Sequence, residues 1–264
     1  MFIPQLLRPV LATFATLTLA LAAPSAGAAP DAKPTIVLVH GAFAESSSWN
    51  GVVDELRKSG YAVVAAGNPL RSVSGDAAQV AALARSIKGP VVLVGHSYGG
   101  AVITAAGNGL PNVKALVFVA AFVPDTGETC LGLTGKFPGS TLPAALAQPV
   151  ALPEGGEDLY ILQDKFPQQF AADVPVDAAR GMAATQRPIK GAALAEPMGT
   201  PAWKTIPSWA IYGTGDLNIP PAAMGFMAER AHAKKTVVVE GASHVVMVSH
   251  PREVAALIQQ AAAN

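Results

Sequence analysis

One stretch limits the possible folds of this chain more than any other. Val91-Val92-Leu93-Val94 runs straight into Gly95-His96-Ser97-Tyr98-Gly99-Gly100, and then into a segment of helical character up to about Gly107. Four apolar residues started by Pro90, with no polar alternation, read as a strand buried on both faces of a parallel sheet. To turn from strand to helix so abruptly, the chain needs glycine at 95 and 99, where side chains would clash with neighbouring backbone. G-x-S-x-G in this setting holds its serine in strain and exposes the hydroxyl at the carboxyl edge of the sheet. The N-terminal dipole of the following helix favours negative charge developing beside it.

The rest of the chain supplies the sheet. Ile36 to Val39, Tyr61 to Ala65, Val113 to Ala120, Ser208 to Tyr212 and Thr236 to Val239 are predicted strands, six with the one above. Helices are expected over Trp49 to Lys58, Asp76 to Ile87, Pro221 to Ala231 and Pro251 to Ala262. Trp49, Val52, Val53 and Leu56 share one face of the first. Such alternation implies an α/β fold with a mostly parallel sheet and right-handed crossovers. Between about 126 and 200 the rhythm stops. Leu133 to Gly156 shows no period, and short helices are expected only at Gln168 to Ala172 and Asp177 to Thr185. Phe137, Leu159, Tyr160, Ile161, Phe166, Phe170 and Met182 make this stretch too apolar for a disordered linker, so it reads as a cap over the sheet's carboxyl edge.

Composition narrows the function. Of 264 residues 51% are hydrophobic and 14% charged, with 18 basic and 18 acidic side chains. A chain without net charge has no electrostatic footprint for nucleic acid or an anionic membrane surface, and one this apolar is not disordered. Cys130 is the only cysteine, which excludes an intrachain disulfide framework and a cysteine-rich metal site. At the N-terminus, Arg8, the apolar run Val10 to Ala23 and the small-residue site Ala26-Gly27-Ala28 form the pattern of a secretory signal peptide. That run is shorter than the roughly 20 residues a bilayer span requires. The expected organisation is a signal peptide over 1–28 and one domain over 29–264, exported to the periplasm or medium, with no stable membrane insertion after signal removal.

A serine hydroxyl needs a base to take its proton. Five histidines compete. His96 adjoins Ser97 but is expected to pack beneath the turn, His232 lies in a charged helix end, and His250 precedes Pro251 at a helix start. His40 ends the first strand, where it braces the turn that follows. His244 lies in the loop just beyond the last strand, at the same sheet edge as Ser97, and is the base by that geometry. The acid that fixes its tautomer is Asp216, just past the preceding strand, with Asp125 as the competitor. The developing oxyanion calls for two N–H donors. Tyr98, the residue after the nucleophile, supplies one, and Ala42, in the turn His40-Gly41-Ala42-Phe43, is the candidate for the other. Phe43 is expected to line the pocket.

These motifs together resemble the α/β-hydrolase superfamily across about residues 36 to 262. Val39-His40-Gly41-Ala42, Gly95 to Gly100 and Val119-Ala120-Ala121-Phe122-Val123-Pro124-Asp125 resemble its methylesterase and hydroxynitrile lyase branch, bacterial exported relatives included. The resemblance implies Ser97, Asp216 and His244 as nucleophile, acid and base, with Ala42 and Tyr98 as oxyanion donors. It places Asp125 in a motif that begins the cap. The lyases of the branch carry threonine where Gly41 stands and lysine where Val245 stands, so cyanohydrin cleavage is not expected. Haloalkane dehalogenases carry a carboxylate in place of Ser97. The expected activity is that of a serine hydrolase acting on a small or medium, neutral, largely apolar ester or lactone, without cofactor or metal. The same triad would serve an acyltransferase or perhydrolase, and a ligand-binding protein on this fold is the third reading. Oligomeric state is not legible.

Overall fold

The structure is a computed structural model and describes Met1 and residues 33–264. The expected signal peptide, beyond Met1 itself, lies outside the described residues. In chain order the first half alternates through β1 (Thr35–Val39), α1 (Asn50–Lys58), β2 (Val63–Ala66), α2 (Val73–Ser86), β3 (Val91–His96), α3 (Tyr98–Ala106) and β4 (Val113–Val119). Then come α4 (Cys130–Lys136), α5 (Leu142–Ala145), β5 (Val150–Ala151), β6 (Glu157–Leu159), α6 (Phe166–Phe170), α7 (Val176–Thr185), β7 (Ile189–Lys190) and α8 (Gly191–Leu194). The alternation resumes with β8 (Ser208–Gly213), α9 (Pro221–Arg230), β9 (Lys235–Val239), α10 (Val246–Ser249) and α11 (Pro251–Ala262).

Six strands pair in parallel in the order β2-β1-β3-β4-β8-β9, the α/β sheet expected from the sequence. Ile36 to Val39 and Val91 to Val94 have no exposed surface, as strands covered by helices on both faces must. At the edge, β9 leaves Val238 half exposed. On α1, Val52 and Leu56 are buried, and the helix packs against α11, which buries Val254, Leu257 and Ile258 at helical spacing.

The strand order reverses between β1 and β3. From there the chain builds outward in both directions, and the crevice at the carboxyl ends of such a pair is where ligands bind in open α/β sheets. Val39 lies opposite Gly95 across that crevice, so the turns after β1 and β3 meet. On the other side of β4, Gly213 lies opposite Val239, so the loops after β8 and β9 also meet.

Two element boundaries differ from expectation for local reasons. β2 begins at Val63, because the N–H of Tyr61 still closes the end of α1 on the Leu56 carbonyl at 3.1 Å. α2 begins at Val73, because the Ser72 hydroxyl accepts from Gly75 N–H at 3.0 Å and caps the helix there. The stretch between β4 and β8 is more regular than expected. It holds the antiparallel sheet β5-β6-β7, whose strands of two or three residues are too short to show a period.

That stretch is fastened to the body by polar contacts. Arg71 donates to Asp158 at 2.7 Å and to the Pro188 carbonyl at 3.0 Å, while Lys190 N–H donates to the Leu70 carbonyl at 2.9 Å. Glu196 accepts from the N–H groups of Val73 and Ser74 at the start of α2. No helix among the described residues is long and apolar enough to cross a membrane. Arg71→Ala would leave the largely buried Asp158 carboxylate without its cation. Urea denaturation should show a loss of about 1–3 kcal/mol, with faster limited proteolysis between β5 and β7.

Candidate active site

Close approach of backbones builds the site. Ser97 sits between β3 and α3 at φ 53° and ψ −124°, a strained conformation for a residue with a side chain. Its carbonyl accepts from Gly100 N–H at 2.9 Å and Phe122 N–H at 3.1 Å, and its own N–H reaches the Val119 carbonyl at 3.2 Å. A Cβ on Gly99 would stand 2.5 Å from the Val39 carbonyl oxygen, and one on Gly95 would strike the Gly99 carbonyl. The motif glycines are therefore contacts between three chain segments.

Ser97, Tyr98, His244, Ala42 and Phe43 line one cavity of about 130 Å³. Its remaining wall is mostly apolar, with Leu131, Leu142, Leu146, Leu159 and Leu194 from the stretch after β4. Cys130, buried in the same wall, has its thiol pushed up by burial away from the thiolate form. Among the described residues no group of three or more His, Cys, Asp or Glu side chains is placed to hold a metal ion.

The structure brings Asp216 and His244 together. His244 Nδ1–H donates to Asp216 Oδ2 at 2.6 Å, with both residues buried. Asp216 Oδ1 accepts from the N–H groups of Asn218 at 2.7 Å and Ile219 at 3.0 Å. The competing carboxylate, Asp125, pairs with Lys204 at 2.6 Å, which holds it below the usual aspartate range.

The other histidines take different places. His96 is buried just before Ser97, at the end of β3, and also touches His244. Its ring centroid lies 4.8 Å from that of His244, and its Nε2–H donates to the His244 carbonyl at 3.1 Å. Burial, and after it the nearness of His244, holds His96 well below the ordinary imidazole value, so it stays neutral. His40 braces the turn after β1: Nδ1–H donates to the Gly41 carbonyl at 2.9 Å, and Nε2 accepts from Asn68 N–H at 3.0 Å. His250 stands at the start of α11, beside Ser249 and Asp173, and His232 is exposed.

In the same turn, Phe43 N–H donates to the Arg187 carbonyl at 2.9 Å. Among the described residues the N–H groups of Ala42 and Tyr98 meet no protein acceptor. The Tyr98 hydroxyl donates to the buried Asp76 at 2.9 Å.

Four groups of this site escape sequence reading: Asn68 behind His40, Asp76 behind Tyr98, Phe170 against the His244 ring at 5.0 Å, and Asn218 behind Asp216. Only Asn218 has a local signal, since an aspartate commonly accepts from the N–H two residues on.

The model of the alpha/beta hydrolase family matches residues 36–257. The chain belongs to that family. Among curated relatives of this α/β hydrolase, a carbendazim-hydrolyzing esterase from Nocardioides sp. (strain SG-4G) is 34% identical over 38% of the chain. That match spans 47% of the relative, about half its length. An alpha/beta hydrolase, nvfD, from Aspergillus novofumigatus (strain IBT 16806) is 27% identical over 87% of the chain and 97% of its own length. A crystal structure of polyneuridine aldehyde esterase superposes with a TM-score of 0.76 at 20% identity, covering 87% of this chain and 99% of that one. The family and fold that the motifs imply are both met.

Burial lowers His40 from 6.5 to about 4. The unfolded chain therefore binds a proton between these values that the folded one does not, and stability falls as pH drops from 6.5 toward 4. One such group accounts for about 3 kcal/mol at most. Urea midpoints measured across that range should fall, and fall less steeply in His40→Gln.

Proposed function

We propose that this α/β hydrolase cleaves carboxylic esters through an acyl-enzyme on Ser97, with His244 as base and Asp216 as its orienting acid. The observation that carries the reading is the 2.6 Å bond from His244 Nδ1 to Asp216, made beside a cavity that His244 shares with Ser97. With Nδ1–H engaged, Nε2 carries the lone pair and accepts the Ser97 proton as Oγ attacks the ester carbonyl. The carbonyl oxygen, now negative, accepts from the N–H groups of Ala42, in the turn after β1, and Tyr98, at the start of α3. Collapse of the tetrahedral intermediate expels the alcohol, which receives the proton from His244. Water, deprotonated by the same imidazole, then releases the acid.

An apolar wall and a volume of about 130 Å³ favour a small or medium, neutral ester or lactone over a polyanion. Residues 126–200 act in this reading as a cap that excludes water, with Phe43 on the opposite wall. The esterase name of the Nocardioides relative supports ester cleavage. Gly41 supports hydrolysis over cyanohydrin lysis: a Cβ there would lie 2.6 Å from the Ser97 Cβ, so this turn as built accepts no threonine. The pattern of residues 8–28 supports export, with cleavage near Ala29; intact-mass measurement of natively expressed protein checks it, and a retained Met1 would contradict it.

Ser97→Ala should lower kcat for p-nitrophenyl esters by on the order of 10⁵ to 10⁶, and the Ser97→Ala/His244→Ala pair should lose no more, since such residues act as a unit. Asp216→Asn should cost roughly 10⁴ through the wrong tautomer. Asp125→Asn should cost about tenfold or less, or about 1.4 kcal/mol of barrier. A collapse in Asp125→Asn beside an active Asp216→Asn would place the acid elsewhere.

A further inference from the structure

The carboxylate of Asp216 is aimed by the backbone that follows it. Its Oδ1 is held by Asn218 N–H and Ile219 N–H, so the direction of Oδ2 toward His244 depends on where residues 217–219 lie. Those residues are past the end of β8, beyond the reach of the sheet's own ladder. What holds them comes from the stretch between β4 and β8.

Gln169, buried on α6, donates from Nε2 to the Leu217 carbonyl at 2.9 Å and to Asn218 Oδ1 at 3.2 Å. In return Asn218 Nδ2 donates to the Gln169 carbonyl at 3.0 Å. Thr141 completes the bracket. Its N–H donates to the Leu217 carbonyl at 3.0 Å, and its hydroxyl donates to Gln169 Oε1 at 2.9 Å, which fixes which end of the amide faces the loop. The next residue of the same short helix, Phe170, packs edge-on against the His244 ring. One turn of α6 thus bears on the acid through Gln169 and on the base through Phe170.

We propose that Gln169 is a positioning residue of the reaction, working through Leu217 and Asn218 to hold Asp216 in line with His244. This makes the triad dependent on the seating of the cap. Asn218 and Ile219 also line the cavity, so a substrate seated there presses on the same loop. The inference rests on the reading of Asp216 and His244 as catalytic partners. It extends that reading by giving the stretch after β4 a part in alignment as well as in enclosure.

The test is Gln169→Leu, which keeps the bulk and removes the donors. Two readouts are needed: kcat and KM for a p-nitrophenyl ester, and the proton NMR resonance of His244 Nδ1–H, which a short bond to Asp216 moves far downfield. The expected result is a kcat lowered about tenfold to a hundredfold with KM little changed, and an Nδ1–H resonance moved upfield or broadened. A residue that only supports the cap would instead raise KM and leave the resonance in place. Should Gln169→Leu fail to fold, the Thr141→Val and Thr141→Ser pair carries the test, the valine losing kcat and the resonance and the serine losing less of both. Parent-like kcat and resonance in a folded Gln169→Leu, or no difference between the two Thr141 variants, would overturn the inference. Activity retained in Ser97→Ala would instead defeat the underlying mechanism, and the two failures are distinct.

Discussion

Everything at this site depends on how closely four backbone segments crowd together at the carboxyl ends of β1 and β3. A parallel sheet whose order reverses there leaves a crevice, and a strand that must become a helix inside that crevice has space only for glycine at its contacts. Gly41 against Ser97, Gly99 against the Val39 carbonyl and Gly100 against Phe122 are three such contacts. They force Ser97 to a positive φ, a conformation that costs on the order of 1–3 kcal/mol and persists because its surroundings over-determine it. Ala42 and Tyr98 line the same cavity, and among the described residues their N–H groups meet no protein acceptor. The strained Ser97 backbone and the close approach of the turns after β1 and β3 are consequences of one packing arrangement.

Around this backbone lies a layer of buried polar groups, His40, Asp76, His96 and Asp216, each hydrogen-bonded to a loop or side chain of the site. His40 and His96 are kept neutral by burial, and each holds a backbone carbonyl of a site loop, Gly41 in one case and His244 in the other. Asp76 accepts from the Tyr98 hydroxyl. Asp216 faces the imidazole of His244. A low-dielectric setting strengthens such bonds and makes any unmatched member costly.

The stretch after β4 is joined to the body on two sides. Arg71, Lys190 and Glu196 fasten it near the start of α2, while Gln169 and Thr141 fasten it to the loop after β8. Its apolar side chains close the cavity between these attachments. One segment thus both lines the cavity and contacts the loop that carries Asp216, and long insertions in tight α/β chains are usually functional.

Local rules are enough to read much of this from the sequence. The continuous apolar runs at 36–39 and 91–94 show buried parallel strands, and G-x-S-x-G between strand and helix marks the elbow, because both signals arise within a few residues of each other. The order Ser97, Asp216, His244 follows from where loops leave a parallel sheet. Other features could not be read this way. The two- and three-residue strands β5, β6 and β7 carry no period, and α4 and α5 fall in a stretch rich in Gly, Pro and Ala. Gln169, Asn68 and Asp76 look like ordinary surface residues, since nothing nearby in the chain says what they will touch. The partners that tie them to the site are 22 to 49 positions away, at Leu217 and Asn218, at His40, and at Tyr98. Sequence by itself determined the sheet, the elbow and the identity of the residues at its edge, because those depend on local periodicity and on glycine. Tertiary structure decided which carboxylate meets His244 and which neutral groups hold the loops, because hydrogen bonds between distant segments exist only once the sheet has brought them within 3 Å or so of one another.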